Sequence, residues 1–134
     1  MISREDKMTP NNKACAAIVA VVDDDKDVRD ALKSLLRSCG YKPQTYSCAL
    51  DFLNASDLAE TQCLISDIQM PGMNGVEMHT RLLAMGFCIP TIFITAHPAA
   101  APHLNAHTPK LIACLTKPFD PEQLFYHIEV ALLG

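Results

Sequence analysis

An α/β fold, with five parallel strands in one doubly wound sheet and helices on both of its faces, is predicted by two features of the sequence. Short β-branched apolar runs alternate with segments of helical periodicity, strand before helix, through the length of the chain. Four of those runs also stop at chemically distinctive residues: Asp23 and Asp24, then Asp67, then Thr95, then Lys117. In a parallel sheet all four stops fall along one edge, so carboxylates, a hydroxyl and an ammonium converge in one pocket. That set of groups suits a divalent cation and a phosphoryl group.

The chain opens on a polar stretch carrying Pro10, Asn11 and Asn12 without periodicity, so residues 1–15 are expected to form a flexible arm and residues 16–134 one domain. Ile18 to Val22 is continuous and β-branched, as suits a strand buried on both faces. Val28, Ala31, Leu32, Leu35, Leu36 and Cys39 recur at helical spacing, and Gly40 ends that helix. Tyr41 to Tyr46 reads as a second, weaker strand and Ala49 to Leu53 as a short helix around Leu50 and Leu53. Cys63 to Ser66 is the third strand. Met70-Pro71-Gly72-Met73 is turn chemistry, and Asn74 with Glu77 forms a capping box for a helix through about Ala84. Thr91 to Ile94 and Leu111 to Leu115 complete the strands. Asp120 as N-cap and Pro121 at the first helical position begin the last helix, with Leu124, Ile128 and Ala131 on one face.

Composition excludes several classes. At 134 residues the chain can bury roughly two thirds of its unfolded surface without metal or disulfide staples. With 15 acids against 11 bases and no basic cluster, it lacks the footprint of a nucleic-acid binder. Ala14 to Val22 is only nine residues long and runs into three aspartates, too short to cross a bilayer and followed by no small-residue cleavage site. The six cysteines include no Cys-x-x-Cys pair and mostly lie in apolar stretches, which reads as reduced, buried thiols in a cytoplasmic protein.

Asp25 is assigned to capping the first helix, where an acid also complements the helix dipole. Capping does not account for Asp23 and Asp24: like charges about 5 Å apart at an effective dielectric of about 20 cost on the order of 3 kcal/mol per pair. A bound cation removes that cost, and magnesium (Mg2+) fits better than calcium because no calcium-loop ligand series is present. Asp67 alone would read as a turn residue; beside acids and a lysine it becomes a nucleophile able to attack phosphorus. Lys117 would balance charge on the phosphoryl oxygens and Thr95 would donate a hydrogen bond to one of them. Pro118 makes a cis peptide after Lys117 affordable.

The segments "VVDDDKDVRDAL", "CLISDIQMPGMNGVE", "IFITAH" and "LTKPFD" together resemble the receiver domain of two-component response regulators, a (βα)5 flavodoxin-like fold. The spacings agree: 43 residues from Asp24 to Asp67, 28 to Thr95 and 22 to Lys117. The resemblance implies Asp67 as phospho-acceptor, Asp24 as a direct magnesium ligand and Asp23 as an outer one, with the Gln69 backbone carbonyl also on the metal. It implies Thr95 as switch hydroxyl, Lys117 as the paired cation, and Gln69 and His97 as positions that set phosphate lifetime. Implied partners are a sensor histidine kinase or phosphotransfer protein, and a homodimer or output partner through the face made by the family's fourth helix, fifth strand and fifth helix. The first helix and "SLLRSCGYKPQTYSCALDFL" look most like receivers that carry a LuxR-type helix-turn-helix output domain. No such pattern follows within these 134 residues, so DNA binding by the chain itself is not expected.

Two positions depart from the family. At Cys114, three before Lys117, the family has a switch-coupling aromatic; a cysteine there reads as a small buried strand residue. Between His97 and Pro109, Pro98, Pro102 and Pro109 predict a short or irregular fourth helix, since an interior proline costs about 3 kcal/mol. His103 and His107 in that segment lack a third ligand for zinc, and His79 and His127 read as surface or boundary residues. The functional expectation is a receiver that takes a phosphoryl group on Asp67, catalyses only its own modification, and switches partner binding. The alternative is a pseudo-receiver interaction module with phosphate-independent output. A phosphohydrolase is disfavoured because Gln69 replaces a second acid, and a nucleotide site because no glycine-rich loop follows the first strand.

Overall fold

The computed structural model describes residues 16–97 and 110–133. The expected N-terminal arm, the irregular fourth helix and the His103/His107 pair lie outside the described residues. The elements among these residues are β1 (Ile18–Val22), α1 (Lys26–Ser38), β2 (Lys42–Tyr46), α2 (Ala49–Leu53), β3 (Cys63–Asp67), α3 (Gly75–Ala84), β4 (Thr91–Thr95), β5 (Leu111–Thr116) and α4 (Pro121–Leu133), with a 3-10 turn at Leu58–Glu60. All strand pairs are parallel and the sheet order is β2-β1-β3-β4-β5. This is the doubly wound sheet that the strand and helix alternation demands.

Alternate strand residues feed two cores, as a pleated strand requires. Val19, Val21, Ile65, Ile92 and Ile94 pack with Leu32 and Leu36 of α1 and Leu124, Ile128 and Ala131 of α4. Ala20, Val22 and Leu64 pack on the other face with Phe52 and Leu53 of α2 and Met78 and Leu82 of α3. The helices α1 and α3 end alike. Gly40 and Gly86 take positive φ, and the Tyr41 and Phe87 N–H groups return to the Leu36 and Leu82 carbonyls at 3.0 and 2.9 Å.

The caps form as the sequence predicts. Asp25 accepts the Asp27 N–H at 2.9 Å, and Asn74 and Glu77 bond reciprocally at 2.8 and 2.9 Å. Asn74→Ala is expected to cost about 1 kcal/mol, read as a lower denaturant midpoint with an unchanged slope.

Several side chains depart from expectation. Among the described cysteines only Cys63 is buried, its thiol pushed by burial up to about 12; Cys39, Cys88 and Cys114 are exposed. Cysteine is small enough for either setting, and β5 is an edge strand, so composition misplaced Cys114. His79 is buried between α3 and β4, with Nδ1 3.2 Å from Thr91 Oγ1 and its ring edge-on to Phe93. Helical periodicity marks a face but not how fully the neighbouring strand covers it. Leu50 and Ala31 are exposed: in α2, five residues long, Ala49, Phe52 and Leu53 take the inward face instead. Among the described residues no helix is long and apolar enough to cross a membrane.

Candidate functional site

The parallel register brings the strand ends together. Val22 pairs with Ser66, which places Asp23 alongside Asp67; Asp67 pairs with Ile94, just before Thr95; Thr95 pairs with Thr116, just before Lys117. The Lys117 N–H donates to the Thr95 carbonyl at 2.8 Å, and the Lys117–Pro118 peptide is cis. From there the Lys117 ammonium reaches back over the sheet edge and donates to Asp23 Oδ2 at 3.1 Å and Asp67 Oδ2 at 3.5 Å. The pairing is sheltered, with side-chain exposures of 1% for Asp23, 10% for Asp67 and 21% for Lys117.

Asp23 is tied from four sides. Besides Lys117 on Oδ2, the Asp25 N–H donates to its Oδ1 at 2.9 Å, the Arg29 guanidinium donates to its carbonyl at 2.8 Å, and its own N–H donates to the Tyr46 carbonyl at 3.1 Å. Asp24 is exposed. One carboxylate oxygen from each of Asp23, Asp24 and Asp67 lies within 4.8 Å of the other two. Carboxylates this close repel by roughly 3 kcal/mol per pair at an effective dielectric of about 20, and the single ammonium of Lys117 neutralises only part of that charge. The donor set is therefore short of positive charge, is made of hard oxygens, and fits a magnesium-sized dication.

Electrostatics distinguish the two halves of the ion pair. Burial pushes the Asp67 carboxyl above its ordinary value, the Asp23 carboxylate adds to the rise, and Lys117 opposes without reversing it. Burial alone would lower Lys117, but the hydrogen bond and charge of Asp23, reinforced by Asp67, hold it above its ordinary value. Lys117 thus stays charged through neutral pH, and the ionised Asp67 is strained for want of further positive charge.

The remaining sequence candidates take peripheral places. Thr95 is fully buried and its Oγ1 accepts the His97 N–H at 3.0 Å; His97 itself is exposed. Gln69 is exposed and lines an open depression with Met70, Pro71, Gly72 and Asn74. Cys114 pairs in register with Phe93, offers no ring and is exposed.

Two residues that hold the site were not singled out from sequence. Arg29 ties the turn after β1, and a cation six places after the first acid was the available signal. Gly75 opens α3 so close under β3 that a methyl group there would overlap the Asp67 carbonyl oxygen. Its signal was the Asn-Gly pair inside the capping box.

The family model of the response regulator receiver domain matches residues 19–129. Among curated relatives, response regulator protein TodT of Pseudomonas putida is 37% identical over 117 residues, 87% of this chain and 52% of its own length. Transcriptional regulatory protein FixJ of Bradyrhizobium diazoefficiens is 32% identical over 114 residues, 85% of this chain and 56% of its own. The chain thus spans about half the length of the curated relatives it matches. The solved structure of response regulator StyR superposes with a TM-score of 0.78 at 38% identity, covering 89% of this chain and 60% of that one. A sheet whose carboxyl edge gathers three aspartates and a lysine, and a family match that takes in all five of its strand ends, agree on one conclusion: the chain belongs to the response regulator receiver domains of two-component signalling.

Proposed function

We propose that Asp67 accepts a phosphoryl group from a sensor histidine kinase or phosphotransfer protein in a magnesium-dependent reaction, and that the phosphorylated domain changes its partner binding. The observation that carries this reading is the buried pair of acids sharing one ammonium, with Asp24 close by and open to solvent. Asp24, Asp67 and the Gln69 carbonyl would hold the magnesium, with Asp23 outside them, and the bound ion supplies neutralising charge for the phosphoryl oxygens.

An Asp67 carboxylate oxygen attacks phosphorus and forms the O–P bond of an acyl phosphate while the P–N bond to the donor histidine breaks. The imidazole leaves with that electron pair and takes a proton from solvent. Lys117 keeps its shorter bond to Asp23 and turns from Asp67 to a phosphoryl oxygen. The Thr95 oxygen receives the His97 N–H, and its own hydrogen would be donated to a phosphoryl oxygen. No turnover of a small substrate is required; the domain catalyses its own phosphorylation and dephosphorylation. Gln69 and His97 flank the acceptor and tune how long the phosphate lasts. The face of β5 and α4 would meet a second copy or an output partner, and the names of relatives such as FixJ point to transcription regulation by the whole protein, in the cytoplasm.

Acetyl phosphate with excess magnesium should add one phosphoryl mass to the wild type and none to Asp67→Asn. A wild type that stays unmodified would sink the proposal. The variant should also be more stable than wild type without magnesium. A carboxyl raised above its unfolded value favours the fold only when protonated, and this contribution is lost as pH rises through the folded value. The amide removes that penalty at pH 7.

A further inference from the structure

We infer that Arg29 is a positioning residue for the cation site, holding the main chain on both sides of Asp24. Its guanidinium Nη1 donates to the Asp23 carbonyl at 2.8 Å, and its backbone N–H donates to the Asp25 carbonyl at 3.0 Å. The two residues flanking Asp24 are thereby fastened to one residue in the second turn of α1. Asp24 itself is exposed, in a turn of only three residues between Val22 and Lys26, all of them acids.

Three successive carboxylates repel one another, and the simplest relief is for the turn to open and carry Asp24 away from Asp67. Arg29 opposes that movement through a charge-assisted bond to a partly buried carbonyl, made by a side chain that is itself half-buried. Groups one step removed from a metal commonly change its affinity by ten- to a hundredfold through such orientation. The inference rests on the proposed magnesium site, and deepens it by naming what keeps Asp24 in place.

Charge and position predict opposite signs. If Arg29 acted only as a nearby cation, removing it would tighten magnesium binding; if it positions Asp24, removing it weakens binding. Magnesium is titrated into wild type, Arg29→Ala and Arg29→Lys, following the backbone amide resonances of Asp24 and Asp25, with melting temperatures recorded without magnesium. The expected result is about tenfold weaker binding in Arg29→Ala and recovery to within about threefold of wild type in Arg29→Lys, which keeps a charged donor. A merely structural role would lower the melting temperature and leave the titration midpoint unmoved. Equal or tighter binding in Arg29→Ala, with wild type binding magnesium, overturns the inference and leaves the phosphoryl-accepting reading standing. No magnesium binding by wild type overturns both.

Discussion

Lys117→Met should slow phosphorylation by acetyl phosphate about a hundredfold or more, the usual cost of removing one preorganised donor from a developing anion. The same change should destabilise the metal-free domain by about 2 kcal/mol at pH 8. Breaking a buried ion pair costs about 3–5 kcal/mol, and the partial exposure of Lys117 argues for the lower figure. The pH dependence follows from the carboxyl it leaves behind. Asp67 is already raised by burial and by Asp23, and without the ammonium it rises further. A raised carboxyl contributes stability below the unfolded value of about 4 and loses it as pH rises through the folded value. The deficit of Lys117→Met should therefore shrink as the pH falls from 8 to 4. In the wild type the raised Lys117 value keeps its contribution intact through neutral pH, fading only in the alkaline range. Urea midpoints at the two pH values test this; an equal deficit at both would exclude the electrostatic account.

Gly75→Ala should cost about 3 kcal/mol and impair magnesium binding and phosphorylation together. The Gly75 N–H donates to the Ile68 carbonyl at 2.8 Å, which draws the start of α3 against the end of β3. An added methyl would overlap the Asp67 carbonyl oxygen and lie 3.1 Å from both Ile68 Cα and Ser66 Oγ. Ser66 Oγ in turn donates to the Asp67 carbonyl at 2.8 Å, so the obstructed atoms are tied together. Most of them are main chain and cannot rotate away, so the cost belongs at the upper end of the roughly 1–3 kcal/mol for overpacking. The better helix propensity of alanine returns less than about 1 kcal/mol. Denaturant unfolding and the acetyl phosphate mass assay on one preparation check both effects. A variant with wild-type stability and normal phosphorylation would show that β3 and α3 separate without cost.

Strand ends and caps were legible because they are local or nearly so. Asp25, Asn74 and Glu77 act within three residues of themselves, and Asp23, Asp67, Thr95 and Lys117 each follow a run whose period announces a strand. Parallel pairing then leaves little freedom in where those ends meet. Burial beyond the first contact was not legible. His79 and Leu50 carry the right periodicity for their helices but the wrong depth, since depth depends on the neighbouring element. Arg29 and Gly75 are hard to read from sequence for another reason. They act through main-chain atoms, on the Asp23 and Asp67 carbonyls, so a cation six places after the first acid and an Asn-Gly pair do not name the partner each one holds.

The buried contact between His79 and Thr91 has a consequence of its own. The Thr91 hydroxyl donates its hydrogen to the Ile89 carbonyl at 2.9 Å, and a hydroxyl has only one to give. Its oxygen can then only receive from the ring, so the network requires a hydrogen on His79 Nδ1. In isosteric terms, the amide nitrogen of asparagine overlays Nδ1 whereas that of glutamine overlays Nε2. Two side chains of identical chemistry, one methylene apart, are therefore unequal stand-ins for this histidine, and only the shorter places its donor where α3 meets β4.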